Sequence, residues 1–516
     1  MNKKLKIESV FLIILGMFTS LSLPPFNYLI INFLTFTLFF IFLVKKSKQH
    51  QNIKLFFFYG WLFGLGYFIS NLYWIAISLT FDQSLKHLIP LTVILIPAFL
   101  AIFYGLISFF FVILKPKKLT SSFLFFCLIF GIIEFLRGVI LTGFPWNLIA
   151  YSFSNHLEIL SITSIIGTYG FNLVCISLFT CPSIFILREN RKDILLLIIF
   201  LITPIFFYNY GSYYEKKFNS SNVKEYDYKI RLIGSNISLD RFYSNESPIS
   251  VISDLIEISK PDVNKKTIFV WPEGILPNVS QKELIKYHPV FNEYFNHNHF
   301  LIIGINSQSN DNRSVNFFNT LSVYDNNLNI LNSYNKINLV PFGEFLPFEN
   351  ILRNMGLKTI TNNYQSFSSG EKRNIIEIKK LNFSLKILPL ICYEIIYSGK
   401  IFNNSNFDLI INISEDGWFG QSIGPKQHFV HSIFRSIESG KYVLRSANNG
   451  IAAIINPLGN IENKVNFGES GYIDFEKKKI IQPTVFSKYG NKIFGLLILL
   501  YIFLVFSFNK FKDEQS

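Results

Sequence analysis

Eight apolar stretches constrain the fold of this chain more than any other feature. They cover about residues 8–23, 27–44, 55–80, 88–114, 121–136, 159–187, 194–209 and 491–508. A helix that spans a bilayer takes about 20 mostly apolar residues, so each stretch is a candidate membrane helix. The first stretch follows three lysines, as in a signal peptide, but six more come before residue 210, which favours a retained helix. We predict a membrane domain with seven transmembrane helices in residues 1–209. An eighth helix and a short cytoplasmic tail are predicted in residues 491–516.

The basic residues around these stretches predict how the chain is oriented. With the N-terminus in the cytoplasm, the cytoplasmic segments hold 15 Lys and Arg residues, whereas the short outer loops hold Lys86 and Arg137. The 15 residues are Lys3, Lys4, Lys6, Lys45, Lys46, Lys48, Lys54, Lys115, Lys117, Lys118, Arg188, Arg191, Lys192, Lys510 and Lys512. Membrane proteins carry such an excess on their cytoplasmic side. The net charge of +14 therefore reflects orientation rather than nucleic-acid binding, and residues 210–490 are predicted to lie outside the cytoplasm.

Residues 210–490 follow a different pattern, in which short β-rich runs alternate with polar or helical stretches. The runs are Lys229–Ile233, Thr267–Val270, Phe300–Ile305, Thr320–Tyr324, Phe383–Leu390, Leu409–Ile413 and Ala452–Ile455. Two stretches, Ser247–Ser259 and Pro425–Ser439, have the apolar spacing of helices. The first opens with Ser247 as an N-cap candidate and Pro248 at the first helical position. Strands that alternate with helices predict an α/β domain over residues 210–490.

Cys392 is the one cysteine outside the apolar segments, which makes it a candidate nucleophile. The other three, Cys127, Cys175 and Cys181, lie inside those segments, where a cysteine behaves as a small apolar residue. No disulfide framework is therefore expected. Cys392 follows the strand-like run Phe383–Leu390, a place where a fold can present a side chain at the end of a strand.

Glu273 and Lys336 also follow strand-like runs, and they supply the two functions that a thiol nucleophile needs. A thiol reacts as its thiolate, so a carboxylate is needed to take the proton. A cation stabilises the negative charge that develops on the substrate carbonyl oxygen. Taken alone, each residue has an ordinary interpretation: a small buried cysteine, a glutamate at a turn, a solvated lysine. The three are far apart in sequence, so only a fold can bring them together.

The segments around these residues resemble those of one protein family. The chain reads Trp271-Pro272-Glu273, Tyr334-Asn335-Lys336-Ile337-Asn338-Leu339-Val340-Pro341-Phe342-Gly343-Glu344, Cys392-Tyr393-Glu394, Asn412-Ile413-Ser414-Glu415-Asp416-Gly417-Trp418-Phe419-Gly420 and Arg445-Ser446-Ala447-Asn448-Asn449-Gly450. In the membrane part, Gly143-Phe144-Pro145-Trp146 matches a loop of the same kind. The chain is in these respects similar to the apolipoprotein N-acyltransferases, which belong to the nitrilase (carbon–nitrogen hydrolase) superfamily.

This resemblance implies both a fold and a set of site residues. The fold is a multi-span α-helical membrane domain joined to an extracytoplasmic, nitrilase-like α/β domain, an αββα sandwich. Glu273 would be the general base, Lys336 the oxyanion stabiliser and Cys392 the nucleophile. The resemblance adds three supporting active-site residues and a lipid contact, namely Glu344, Glu394, Tyr393 and Trp146. For Glu344 and Glu394 a structural ion pair is an equal alternative.

The resemblance also implies an activity, the last step of bacterial lipoprotein maturation. A membrane phospholipid donates an acyl chain, which passes through a cysteine thioester to the α-amine of the N-terminal diacylglyceryl-cysteine of an apolipoprotein. The enzyme would be a multi-pass protein of the inner membrane with a periplasmic catalytic domain, and no cofactor, metal or nucleic acid is implied. Two alternatives stay open: a membrane-tethered nitrilase-type amidase or lipid hydrolase, and an inactive scaffold. The intact set of three residues argues against the scaffold, and the number of spans argues against the hydrolase.

The chain departs from the family pattern near the predicted site. It has Gly234-Ser235 where Gln-Gly is usual, Arg241-Phe242 near the position of an expected tryptophan, and Glu415 where asparagine is usual. These departures fall on the presumed substrate-binding surface. They therefore bear on lipid or acceptor preference more than on the chemistry.

Two further polar pairs have the spacing of neighbours on a helix. His428 and His431 could bind a metal ion, but no third ligand is evident close by in the sequence. Glu134 and Arg137 lie near the end of the fifth apolar stretch. Charges at membrane depth are often functional, although a mutual ion pair is the simpler account here.

Overall fold

The computed structural model describes residues 3–49, 52–188, 191–243, 247–311, 314–354, 366–381, 383–401 and 406–510. The α-helices are α1 (Lys3–Ser20), α2 (Ile30–Gln49), α3 (Ile53–Leu72), α4 (Ile89–Leu114), α5 (Leu119–Arg137), α6 (Leu157–Leu160), α7 (Thr163–Thr180), α8 (Pro182–Leu187), α9 (Arg191–Asn219), α10 (Pro248–Ser259), α11 (His288–Asn292), α12 (Glu349–Asn354), α13 (Gly424–Ser439), α14 (Val485–Tyr489) and α15 (Lys492–Lys510). The β-strands are β1 (Val223–Ser235), β2 (Thr267–Val270), β3 (His299–Asp311), β4 (Ser314–Tyr324), β5 (Ile330–Asn335), β6 (Ile376–Lys380), β7 (Phe383–Ile391), β8 (Leu409–Glu415), β9 (Val443–Asn448), β10 (Ala452–Ile455), β11 (Ile461–Val465) and β12 (Gly471–Lys479).

Seven helical segments in the described part of the chain are long and apolar enough to cross a membrane. They are Ile30–Gln49, Ile53–Thr80, Gln83–Leu114, Leu119–Arg137, Thr163–Leu187, Asp193–Asn219 and Lys492–Asn509. Each coincides with a predicted stretch, and the protein is a membrane protein. The remaining stretch, residues 8–23, overlaps α1, whose first turns are charged. A Cβ atom on Gly16 of α1 would lie 2.0 Å from the carbonyl oxygen of Phe63 in α3, so glycine allows these two helices to pack closely.

The helices do not follow the apolar stretches at every end. The stretch 55–80 is α-helical only to Leu72 and continues as a 3₁₀ helix over Tyr73–Thr80. The stretch 194–209 lies in α9, which runs on to Asn219. The end of an apolar stretch is set by hydropathy, whereas the end of a helix is set by its backbone hydrogen bonds. The two boundaries therefore differ.

The strands form one continuous hydrogen-bonded sheet that folds into two halves. The order is β5-β4-β3-β2-β1-β9-β8-β7-β6, with β12 beside β1 and the pair β10–β11 beside β9. Two residue pairs, Gly234 with Ala447 and Ser235 with Asn448, join β1 to β9. The inner faces of the two halves share one core, in which Ile230, Leu232, Ile268 and Val270 meet Leu385, Ile387, Leu409 and Ile411. The sheet is therefore a sandwich of two layers.

Helices cover both outer faces of this sandwich. On one face, Ile252 and Leu255 of α10 pack with Phe269 and Leu301. On the other face, α13 and the membrane helices share a core with Leu390 of β7. The predicted αββα sandwich beside a helical membrane region is therefore confirmed. The helix predicted after Ser247 also begins where expected, at Pro248.

A buried polar joint fixes α13 to the membrane helix α7. One carboxylate oxygen of Glu438 accepts hydrogen bonds from the Thr168 amide at 2.7 Å and from the Thr168 hydroxyl at 2.6 Å. Thr168 follows Gly167, whose φ of 68° interrupts the helix. Arg435 lies 3.0 Å from the second oxygen of Glu438. Because these side chains are fully buried, the joint holds α13 in a defined position against the membrane helices.

The topology brings the predicted site residues to one edge of the sandwich. Strands β1, β2 and β3 are parallel, and so are β7, β8 and β9. The carboxyl ends of parallel strands meet at one edge of a sheet, where ligand sites form. Glu273 follows β2, Lys336 directly follows β5 and Cys392 directly follows β7.

Candidate active site

Cys392 stands at a sharp turn between a strand and a short 3₁₀ helix. Strand β7 ends at Ile391, and Cys392 has a φ of +47°, a left-handed conformation that a residue with a Cβ rarely adopts. The 3₁₀ helix Cys392–Ile396 follows at once. Strained backbone of this kind persists where the surrounding structure enforces it, often at functional sites. The turn presents the thiol at the end of the strand.

The ammonium group of Lys336 lies between two carboxylates. Its Nζ atom is 3.0 Å from Oε1 of Glu273 and 3.0 Å from Oε1 of Glu344. All three side chains are buried. Burial alone disfavours the ammonium, but the two carboxylates raise the pKa of Lys336 well above its ordinary value. Lys336 is therefore a fixed cation at the end of β5.

Asn319 of β4 connects the same two carboxylates. Its Nδ2 atom donates to Oε1 of Glu273 at 2.7 Å and to Oε1 of Glu344 at 2.8 Å. The second oxygen of Glu273 accepts a hydrogen bond from the Glu415 amide at 3.0 Å, and the second oxygen of Glu344 accepts one from the Val340 amide at 2.8 Å. Burial raises the pKa of Glu344, and Lys336 opposes that rise. Hydrogen bonds therefore hold both oxygens of Glu273 and both oxygens of Glu344 in place.

The thiol of Cys392 is neutral at rest. Burial raises the pKa of the thiol well above its ordinary value, the charge of Glu273 raises it further, and Lys336 opposes these effects. A base within the site must therefore remove the proton before the sulfur can attack. Glu273 faces the same cavity as Cys392 and is a carboxylate suited to that step.

Glu394 is turned away from this group and organises the backbone. Its Oε2 atom accepts from the Ile391 amide at 2.9 Å, and its Oε1 atom accepts from the Tyr334 hydroxyl at 2.6 Å and the Ile337 amide at 3.0 Å. Arg373 pairs with the same Oε1 atom at 2.6 Å. Burial opposes ionisation of Glu394, but Arg373 and these donors lower its pKa overall. The carboxylate thus ties the turn before Cys392 to the segment around Lys336.

His428 of α13 supports the same turn from the other side. Its Nε2 atom lies 3.3 Å from the carbonyl oxygen of Cys392, which can only accept a hydrogen bond. Its Nδ1 atom lies 2.9 Å from Asp416, and Arg445 binds both oxygens of Asp416 at 2.9 and 2.7 Å. Burial lowers the pKa of His428, and Asp416 opposes this change.

The same contacts bear on whether His428 and His431 form a metal site. The donor atoms of Cys392, Asp416 and His428 all lie within 4.8 Å of one another, so His428 has nearby partners that the sequence did not reveal. His431 is not among them. Because Arg445 already engages both carboxylate oxygens of Asp416, the group is best described as a hydrogen-bonded network beside Cys392.

Tyr393 and Trp146 link the site to the membrane part. The Tyr393 hydroxyl donates to the carbonyl oxygen of Gly143 at 3.1 Å, in the loop that leads to Trp146. The indole N–H of Trp146 donates to Gln427 of α13 at 3.0 Å, and its ring lies nearly parallel to that of His428, with centroids 5.2 Å apart. Both Tyr393 and Trp146 line the cavity described next. The Gly143–Trp146 loop is therefore part of the site.

A cavity of about 880 Å³ extends from Cys392 and its charged neighbours to the membrane helices. Cys392, Glu273, Lys336 and Glu344 line its polar end. Most of the other lining residues are apolar, among them Trp74, Ile75, Leu91, Leu95, Phe99, Phe342 and Trp418. On α4, Leu91, Leu95 and Phe99 are each about half exposed, at 52, 53 and 50%. A long apolar chain that enters past α4 can therefore reach the thiol.

Two of the sequence departures contact each other in this site. Arg241 and Glu415 form a buried ion pair between the segment after β1 and the end of β8. Asn448 and the Gly417 amide also donate to Glu415, at 2.7 and 2.9 Å. The third departure, Ser235, donates its hydroxyl to Asn448 at 2.7 Å. The unusual residues thus form one connected network rather than three independent changes.

Comparison with known proteins assigns this arrangement to a family. Residues 15–181 match the family model described as "Apolipoprotein N-acyltransferase N-terminal domain", and residues 292–476 match "Carbon-nitrogen hydrolase". The chain is 33% identical over 512 residues to the "Apolipoprotein N-acyltransferase" of Rickettsia prowazekii (strain Madrid E), covering 97% of this chain and 98% of that protein. The chain belongs to the apolipoprotein N-acyltransferase family. The protein of the same description from Rhizobium etli (strain CIAT 652) is 29% identical over 483 residues, with 89 and 88% covered.

Solved structures similar to this member of the family cover about half of it. An amidase from Nesterenkonia sp. AN1 is 13% identical, with a TM-score of 0.33 over 50% of this chain and 93% of that one. Saccharomyces cerevisiae Nit3, of the nitrilase superfamily, is 16% identical, with a TM-score of 0.33 over 48% of this chain and 90% of that one.

The structure adds several site residues that the sequence did not single out. Asn319 lies in the middle of a strand, where nothing in the pattern distinguishes it from a structural residue. Asp416 and Arg445 occur inside family-like segments, so the segments pointed to them without giving their contacts. His428 was noted for its spacing with His431, whereas its actual neighbours are Cys392 and Asp416.

Proposed function

We propose that Cys392 is the nucleophile, Glu273 the general base and Lys336 the oxyanion stabiliser of this acyltransferase. The observation that carries the proposal is the cavity, because these three residues line it together with many apolar residues of the membrane helices. We further propose that the acyl donor is a membrane phospholipid. The acceptor would be the α-amine of a diacylglyceryl apolipoprotein, and both lipid-anchored substrates would reach the site past the membrane helices.

The first half of the reaction forms a thioester. Glu273 takes the proton of the Cys392 thiol, and the sulfur attacks the ester carbonyl carbon of the phospholipid. An ammonium has three donors, and Glu273 and Glu344 accept two of those of Lys336. The third donor is thus suited to the developing oxyanion. The carbon–oxygen bond then breaks, and the lysophospholipid oxygen takes the proton from Glu273.

The second half transfers the acyl chain to nitrogen. The neutral α-amine attacks the thioester carbonyl carbon, Glu273 takes a proton from that amine, and Lys336 again stabilises the oxyanion. The carbon–sulfur bond breaks, the proton passes to the Cys392 sulfur, and an amide is released. Burial of the site keeps water from the thioester, which favours transfer over hydrolysis.

Mass spectrometry tests this sequence of steps. Purified protein given phospholipid alone should carry an acyl adduct on Cys392 that persists. A diacylglyceryl peptide with a free N-terminal amine should discharge the adduct to an amide, and the same peptide with an acetylated amine should not. Rapid decay to free fatty acid, at a rate independent of the peptide, would instead identify a lipid hydrolase.

We also propose the domain organisation and orientation that the charges favour. Residues 1–209 would form the membrane domain, residues 210–490 a periplasmic catalytic domain, and residues 491–516 the eighth helix with its cytoplasmic tail. The excess of 15 basic residues on one side against two on the other supports this orientation. A reporter active only in the periplasm should be on when fused after residue 350 and off when fused after Lys48. The reverse pattern would place the catalytic domain in the cytoplasm and refute the orientation.

A further inference from the structure

Arg241 joins three segments that surround the polar end of the cavity. Its Nη1 atom donates to the carbonyl oxygen of Ser238 at 2.7 Å, in the segment after β1. Its Nε atom donates to the carbonyl oxygen of Ile275 at 3.2 Å, two residues beyond Glu273. Its Nη2 atom pairs with the carboxylate of Glu415 at the end of β8. One side chain thus crosslinks the carboxyl ends of β1, β2 and β8.

Glu415 connects Arg241 to Glu273, the proposed base. The amide of Glu415 donates to Oε2 of Glu273 at 3.0 Å. Its carboxylate is fixed by Arg241 and also accepts from the Gly417 amide at 2.9 Å and from Asn448 at 2.7 Å. The pair is buried, since its two side chains are 1 and 2% exposed. The position of the Glu273 carboxylate therefore depends on the Arg241–Glu415 pair through both the β2 segment and the β8 segment.

The same pair supports one wall of the cavity. Phe242 follows Arg241, and its ring lies 5.0 Å from that of Trp418, which follows β8. Both rings line the cavity. The guanidinium group of Arg241 lies over the Phe242 ring, 4.7 Å from its centroid. A role in the cavity wall predicts weaker binding of phospholipid, whereas a role at Glu273 predicts slower formation of the thioester.

We propose that Arg241 and Glu415 act as one positioning unit that holds Glu273 in place to remove the Cys392 proton, an inference that rests on the proposed role of Glu273. Arg241 and the Glu415 side chain would act on Glu273 through the Glu415 amide and through the segment at Ile275. Glu273 also pairs with Lys336 at 3.0 Å and accepts a hydrogen bond from Asn319 at 2.7 Å, and neither contact involves Arg241 or the Glu415 side chain. Displacement of the base should slow thioester formation without weakening the binding of phospholipid.

The test measures a single turnover of adduct formation on the full-length protein, with mixed micelles of dioleoyl phosphatidylethanolamine as the probe. Arg241→Met and Glu415→Gln should each lower the rate about 10²-fold, since small misplacements of reactive groups cost that much. The phospholipid concentration that gives half the maximal rate should stay unchanged. The double variant should be no slower than the slower single variant, because the two residues act as a unit.

The pH profile separates positioning from a loss of folding. As the pH rises, hydroxide becomes able to form the thiolate, and a misplaced base then matters less. The rate of adduct formation by Arg241→Met and Glu415→Gln, relative to the wild type, should therefore recover between pH 6.5 and 9.5. Asp474→Asn is the matched control. It breaks the Arg231–Asp474 pair, which has contacts at 2.7 Å in the same domain but lies on the strands β1 and β12, away from the cavity. The rate of adduct formation by Asp474→Asn, relative to the wild type, should not change with pH.

Three outcomes overturn the inference. A deficit equal to that of Asp474→Asn and independent of pH would make the Arg241–Glu415 pair an ordinary structural contact. A raised half-saturating concentration with an unchanged maximal rate would assign the pair to the cavity wall. A double variant with the multiplied deficits of the singles would show two independent roles. Failure of the proposed function looks different: Glu273→Gln would then form the adduct at the wild-type rate.

Discussion

The ammonium nitrogen of Lys336 and a carboxylate oxygen of Glu273 lie 3.0 Å apart in the buried end of the cavity. The proposed base is thus held by the proposed oxyanion stabiliser before any substrate arrives. Because Glu344 and Asn319 fix the same pair, the charges are arranged before the reaction and little reorganisation is needed when the oxyanion forms. In the proposed mechanism, the remaining requirement is to place the substrate carbonyl between Cys392 and Lys336.

Removal of the thiol should abolish the reaction at its first step. Cys392→Ala should form no adduct with phospholipid, and Cys392→Ser should form very little, because a hydroxyl is a much weaker nucleophile at neutral pH. Intact-mass spectrometry of the purified variants checks both. Cys127→Ala, in a buried site on α5, is the control and should still form the adduct. Substantial transfer by Cys392→Ala would refute the thioester mechanism.

Loss of the Lys336 ammonium should slow thioester formation by roughly 10²–10³-fold, the usual cost of one oxyanion donor. Lys336→Met keeps an unbranched side chain that ends one atom short of the ammonium nitrogen, and it leaves the buried carboxylates of Glu273 and Glu344 without their cation. The measurement is the single-turnover rate of adduct formation. Lys286→Met is the control, since its ion pair with Glu283 is exposed on the surface. An unchanged rate in Lys336→Met would remove Lys336 from the mechanism.

Much of the fold could be predicted from the sequence, because its apolar pattern is strong. Strand β2 has the predicted bounds, since a short apolar run buried on both faces is distinctive. Strands β11 and β12 were missed because their residues are largely polar or exposed. Strand β9 was missed for another reason. It carries Arg445, Ser446 and Asn448, polar residues whose burial is offset by hydrogen bonds to side chains and backbone that only the fold brings near.

The site could be predicted only in part. Family-like segments marked the residues at the ends of β2, β5 and β7, but a segment does not show which side chains meet. Arg241 and Glu415 are 174 positions apart, so their ion pair depends entirely on the fold. Glu394 illustrates the same limit. The sequence left it between a catalytic and a structural role, and its contacts with the Ile391 and Ile337 amides favour the structural one.

The lowered pKa of Glu394 predicts a stability that depends on pH. A carboxylate whose pKa is lower in the folded state stabilises the fold above its unfolded pKa of about 4.3, and this stabilisation is lost as the pH falls through the folded value. At pH 7, Glu394→Gln should lower the free energy of unfolding by about 3 kcal/mol, and with it the unfolding temperature, because Arg373 loses its buried partner.

Thermal unfolding in detergent between pH 7 and pH 3 measures this effect. The difference between wild type and Glu394→Gln should be largest near pH 7 and should shrink below pH 4.3. Glu293→Gln, which alters an exposed carboxylate, should follow the wild type throughout. A difference that stays constant down to pH 3 would contradict the ionic role of Glu394.

The apolar part of the cavity predicts how the enzyme selects acyl chains. Thr92 lies on α4 and lines the cavity, so Thr92→Trp should shorten the space available to the chain. Each methylene group that loses its burial costs about 0.8 kcal/mol, or about fourfold in rate. Adduct formation from 18-carbon phospholipids should therefore fall much more than from 10-carbon phospholipids, as measured by competition in mixed micelles. Ile94→Trp is the matched control, because Ile94 lies on the same helix, is 57% exposed and does not line the cavity. An equal loss for both chain lengths in Thr92→Trp would mean that the acyl chain lies elsewhere.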